Sequence, residues 1–179
     1  MRSASAVLAL LVAAAQAVDM KIYKETPDVD TGFRDFVEDF YAASEDATTT
    51  TTYTDFWPSG DSGILILAGS RFEGAKNISA VKQRLLPPNS GKSWWHILVG
   101  SSVKPGSETD KSKNFMTEVV IQTTYVGGNC SEALGHAEFT ILKGEDGRLN
   151  LEPHKGGLGM YNLTVSDTRS PTDVPCRVI

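Results

Sequence analysis

An α+β domain, with helices first and a meandering antiparallel sheet afterwards, is the fold class this sequence predicts, and two observations carry it. Apolar residues between positions 31 and 86 recur mostly at helical spacing, whereas from Ser93 onwards they alternate with a period of two. Breaks rich in Gly, Pro and Asp separate the alternating runs, as successive antiparallel strands require.

The chain opens with Arg2, an apolar run over 6–15 and Gln16-Ala17, the order of a positive n-region, an h-region and a small-residue cleavage site. This predicts a secretory signal peptide over 1–17, a single domain over 18–165 and an irregular tail over 166–179. The apolar run is shorter than the roughly 20 residues of a membrane-spanning helix, so the expected location is extracellular or in the secretory lumen, with no membrane association after cleavage. The formal net charge is −5 and loses one more positive unit with Arg2. Lys and Arg are scattered, which argues against nucleic acid as a partner.

An even cysteine count in an exported chain favours a disulfide between Cys130 and Cys176, the alternative being two buried thiols. Such a bridge would contribute about 3–4 kcal/mol by restricting the unfolded chain. Sequons at Asn77, Asn129 and Asn162 fit glycosylation, Asn129 least well because Cys130 is its middle residue.

Thr31 is placed to cap a helix whose Phe33, Phe36, Val37, Phe40 and Tyr41 form one aromatic stripe. Ser44-Glu45-Asp46 is expected to end it, and the β-branched run Thr48 to Thr52 has poor helix propensity. Tyr53, Phe56 and Trp57 form an aromatic cluster before the turn composition of Pro58-Ser59-Gly60-Asp61-Ser62-Gly63. Ile64-Leu65-Ile66-Leu67-Ala68 reads as a buried strand, 69–74 as a loop, and Ile78, Val81, Leu85 and Leu86 as the apolar face of a second helix stopped by Pro87-Pro88. Strands follow over Ser93–Val103, 115–126, 134–142 and 149–165, with Lys143-Gly144-Glu145-Asp146-Gly147-Arg148 as a hairpin connection.

Trp94-Trp95-His96-Ile97-Leu98-Val99 sets one of only three histidines inside a strand that is apolar on both faces. Trp94, His96 and Leu98 share a face, so His96 either lines a pocket or is a core histidine bonded to a backbone carbonyl. On the 134–142 strand, His136 and Glu138 share the polar face, which is either solvated or lines the pocket and brings Glu138 to His96. Glu118 lies in a largely apolar strand and needs a partner if buried.

Tyr53-Thr54-Asp55-Phe56-Trp57-Pro58-Ser59-Gly60-Asp61 leading into a strand, Gly74 opening a helix, and a later strand bearing His96 together resemble the SnoaL-like branch of the nuclear transport factor 2-like superfamily. Gly135-His136-Ala137-Glu138-Phe139 and Glu145-Asp146-Gly147-Arg148-Leu149 resemble its last strands. The resemblance covers roughly 30–165 and implies a cone, in which a curved antiparallel sheet and N-terminal helices enclose a pocket. It also implies a small, partly apolar, polyketide-like ligand and, in an enzyme, cofactor-independent isomerisation, dehydration or cyclisation. His96 would then be the general acid/base, Glu138 its partner and His136 a polarising group, with Tyr53, Trp57, Trp94, Leu98 and Glu118 contacting ligand.

One departure qualifies this reading. Scytalone dehydratase-like relatives carry an aspartate at the end of the first helix, where this chain reads Phe40-Tyr41-Ala42-Ala43-Ser44, and Asp39 falls on the polar side. The rival is a non-catalytic secreted module, a ligand carrier or an effector-like protein that forms a homodimer through the second apolar face of the His96 strand. No metal or cofactor is implied: the histidines lack ligand spacing, and Gly156-Gly157-Leu158-Gly159 lacks the setting of a nucleotide loop. Gly60-Asp61-Ser62-Gly63 imitates a trypsin-like nucleophile loop, but every histidine follows its serine.

Overall fold

The computed structural model describes residues 18–127 and 129–166. The expected signal peptide and Cys176 lie outside the described residues, as does all but the first residue of the expected tail.

The aromatic stripe folds as α1 (Phe33–Glu45), with Phe33, Phe36, Val37, Phe40 and Tyr41 all at most 1% exposed. Thr31 does not cap it. Gly32 occupies the N-cap in a left-handed conformation, φ 97°, and the helix has no side-chain cap. At the other end α1 stops at Glu45, within Ser44-Glu45-Asp46 as expected, and closes on the Asp46 amide donating to the Ala42 carbonyl. The Asp46 carboxylate then accepts from the Thr48 amide and hydroxyl, at 2.8 and 2.7 Å, fixing the turn. The end of the threonine run, Thr51 and Thr52, is helical where propensity argues against it, in the single turn α2 (Thr51–Thr54). Packing overrides propensity here, because this turn drives Tyr53, Phe56 and Trp57 onto Phe40, with ring centroids 5.4–5.7 Å away.

The expected loop over 69–74 is instead a strand. After β1 (Lys24–Glu25), β2 (Ile64–Leu67) and β3 (Ser70–Glu73) make a hairpin whose two turn residues, Ala68 and Gly69, both have positive φ. Gly74, φ 77°, then opens α3 (Gly74–Leu85); a Cβ there would lie 2.8 Å from the Asp61 carboxylate.

Four long strands follow: β4 (Ser93–Val103), β5 (Ser112–Thr124), β6 (Cys130–Leu142) and β7 (Leu158–Ser166). The last begins nine residues later than alternation suggested: Leu149 makes only a bridge to Lys143, and 150–157 loops out with His154 and Gly156 at positive φ. The seven-stranded sheet has the order β1-β4-β5-β6-β7-β2-β3. The central meander is antiparallel as expected, but β1 pairs with β4 and β2 with β7 in parallel, so the sheet is mixed. These pairings join segments far apart in the chain, through crossovers that the local periods do not encode.

Irregularities between Leu98 and Gly100 and between Thr140 and Ile141 bend the sheet around α1. Inside the curve Phe33 stacks on Phe115 at 4.1 Å, and Phe139 meets Phe33, Phe40 and Tyr161 at 5.7, 5.3 and 4.9 Å. No helix among the described residues is long and apolar enough to cross a membrane.

Phe139→Ala should therefore cost about 3–5 kcal/mol in urea denaturation, whereas Ile22→Ala, at a site 40% exposed, should stay within about 0.5 kcal/mol.

Candidate functional site

Between the concave face of the sheet and the three helices lies a cavity of about 340 Å³. Alternation builds its sheet wall: the side chains of Ile121 and Thr123 on β5 line it beside their cross-strand partners Ala133 and Ser131 on β6, and the small β6 side chains leave room. Leu163 and Val165 extend this wall on β7, while Phe40, Tyr41 and Ser44 of α1 and Val81, Lys82 and Leu85 of α3 form the other side.

His96 lies on the cavity wall, 6% exposed, behind Trp94 on the same strand face. Its partner is Glu45. One Glu45 carboxylate oxygen accepts the His96 backbone N–H at 2.5 Å and lies 3.1 Å from Nδ1. Both side chains are buried, so the pair is shielded from solvent. The aspartate that the resemblance leads one to expect at 40–44 is absent, but the last residue of the helix, Glu45, supplies a carboxylate to the histidine. Glu45 is four residues after Tyr41 on the buried stripe, and that spacing was the signal that could have found it.

Glu138 does not reach His96. Ala137, Phe139 and Ile141 are the inward residues of β6, so His136 and Glu138 point to the outer face. There Glu138 accepts from Lys104 Nζ at 2.8 Å and Asn114 Nδ2 at 2.6 Å. His136 and Glu118 lie 3.9 Å apart, both exposed, in a shallow outer depression with Lys24 and Met116. Of the expected ligand contacts, Tyr53 and Trp94 line the cavity. Trp57 is packed behind it, its indole N–H donating to the Ile64 carbonyl at 3.0 Å, and Leu98 is fully buried in the core. The sequon residues Asn77 and Asn129 are exposed and Asn162 is half-buried.

The tyrosines form a second polar group. Tyr41 and Tyr161 place their hydroxyls 3.1 Å apart, and the Tyr41 ring lies 4.7 Å from the His96 ring. Burial raises both phenols above their ordinary range, so they stay neutral and remain hydrogen-bond donors at physiological pH.

Lys82 was missed in the sequence, although it sits on the apolar face of α3 four residues after Ile78. It is 4% exposed, and its ammonium donates to the Asp46 carbonyl, the Thr49 carbonyl and the Thr49 hydroxyl. Burial pushes it down to about 8, partly opposed by the charge of Asp46. No group of three or more His, Cys, Asp or Glu among the described residues could hold a metal ion.

Solved structures with the same arrangement decide the fold. ActVI-ORFA from Streptomyces coelicolor superposes with a TM-score of 0.57 at 14% identity, over 77% of this chain and 100% of its own. Aln2 from another Streptomyces species gives 0.56 at 15% identity, over 76% and 93%. The chain has a nuclear transport factor 2-like, SnoaL-like fold. A third neighbour with this fold, from Catenulispora acidiphila, is in complex with S-DNPA; it gives 0.54 at 13% identity, over 76% and 95%. No family model matches the sequence, and no curated protein matches it.

Burial of the Lys82 ammonium makes folding stability depend on pH. The unfolded chain holds this proton up to about 10.5 and the folded chain only to about 8, so its contribution favours folding as pH rises through that window and is lost as pH falls to about 8. Measured by urea denaturation, the stability of the wild type relative to Lys82→Met should increase between about pH 7.5 and about pH 10.

Proposed function

We propose that this protein binds a small, largely apolar molecule in the cone and moves a proton on it without a cofactor, giving isomerisation, dehydration or cyclisation, in the extracellular space or the secretory lumen. The observation that carries this reading is the buried His96–Glu45 pair on the wall of an apolar cavity. The S-DNPA complex of a protein with the same fold supports the use of such a cone for small molecules. The apolar run over 6–15 supports export.

The chemistry follows from the hydrogen bonds. Glu45 accepts a proton held on Nδ1, which fixes the tautomer and leaves Nε2 as the base. It also stabilises the imidazolium formed when Nε2 takes a proton from the ligand. Tyr41 and Tyr161 share one hydrogen bond, so one phenol proton is left to donate to an oxygen on which negative charge develops. His136, Glu138 and Glu118, on the outer face, take no part.

Bicyclic ketones such as α-tetralone test this in heavy water, with exchange of the protons next to the carbonyl followed by NMR. Exchange should exceed that in buffer, and His96→Gln should reduce the enzymatic part by about 10²–10⁴-fold. Glu45→Gln should reduce it too, while Glu138→Gln leaves it unchanged. Exchange that survives His96→Gln overturns the assignment, and binding with no exchange makes the protein a carrier.

A further inference from the structure

The chain carries more acidic than basic residues, 22 against 17, yet the cavity lining reverses this balance. Lys82 and Lys92 line it, and among the described residues no aspartate or glutamate does; Glu45 stands behind His96. Both lysines lie beside the last turns of α3, since Lys92 Nζ donates to the Leu85 carbonyl at 2.6 Å and Leu85 follows Lys82 on the same helix face.

Neither lysine makes an ion pair with a carboxylate of the described residues. The Lys82 ammonium is held by two carbonyls and a hydroxyl, while the nearby Asp46 carboxylate is turned to Thr48. Lys92 lies 5.5 Å from the Trp94 ring centre and has one carbonyl partner, which leaves N–H groups to give. A buried cation satisfied only by neutral oxygens keeps its field, and in an apolar cavity that field reaches further than in water. The α1–α2 connection satisfies the donors of Lys82 and, through the Asp46 carboxylate, offsets only part of its charge.

We propose that the ligand is an apolar molecule bearing an acidic group, a carboxylate or an ionised phenol or enol, which sits on the α3 side of the cavity. This rests on the binding reading above and names its ligand class. Lys92 donates directly to the acid and Lys82 supplies the field behind it. The order of Lys92, just before β4, and Trp94 and His96 on its inward face then lays the apolar body over Trp94 and brings the far end of the ligand to His96 and the tyrosines.

Titration of the intact protein with 2-naphthoate, methyl 2-naphthoate and 2-naphthylmethylamine, followed by calorimetry and tryptophan fluorescence, tests it. The acid should bind at least about tenfold more tightly than its ester, and the amine most weakly. Lys92→Met, on a partly exposed residue just before β4, should remove most of the acid-over-ester gap, weakening the acid more than the ester. Lys82→Met should act in the same direction, with circular dichroism as a check on folding because Lys82 ties α3 to the α1–α2 connection. An ester that binds as tightly as the acid, or a gap that survives Lys92→Met, overturns the proposal while leaving the cavity as a binding site. If none of the three probes binds, the binding reading fails with it.

Discussion

The aromatic stripe of α1, clasped in the concave face of the sheet, is the contact on which both core and cavity depend. At its first turn Phe33 is sealed against Phe115 and Phe139, and no space remains. Two turns later Phe40 and Tyr41 face open volume, because the sheet residues opposite include alanine and serine rather than phenylalanine. The last residue, Glu45, then reaches β4. One helix therefore acts as plug at one end, wall in the middle and hydrogen-bond acceptor at the other, and its placement sets the depth of the cone.

The buried charges are arranged with different economies. His96 and Glu45 form a buried hydrogen-bonded pair in which the carboxylate lies against the imidazole. Lys82 has its donors filled by neutral oxygens and its charge only partly offset by Asp46. The first arrangement suits chemistry and the second suits attraction, and they occupy neighbouring parts of one apolar space.

The sequence shows the meander and His96 because strand alternation is local: β4 has the expected bounds, and Trp94 and His96 share the inward face. Alternation does not say which face of a sheet is inside, and that is why Glu138 and His136 are found on the outer side. Glu45 was hidden for a different reason. Ser44-Glu45-Asp46 ends α1 as its composition suggests, and nothing local shows that Glu45 of this last turn is turned inward to β4. Lys82 broke the apolar face of α3 in plain view, but a lysine at such a position usually snorkels to water. Here its stem and ammonium are both covered, which depends on the distant Asp46–Thr49 turn. The parallel pairing of β2 with β7 depends likewise on contacts between residues about a hundred positions apart.

The carboxylate that holds the imidazole also takes the backbone N–H of His96, while the His96 carbonyl accepts from the amide of Asp19. On that side β4 has, among the described residues, only the two-residue strand β1 and this Asp19 bridge as strand partners. Glu45 thus closes a stretch of sheet border that would otherwise offer an unpaired amide to another chain. Protection against strand addition and orientation of the histidine are vested in a single oxygen atom. Evolution toward a cone without acid–base chemistry would have to supply another guard for that border before it could discard the acid.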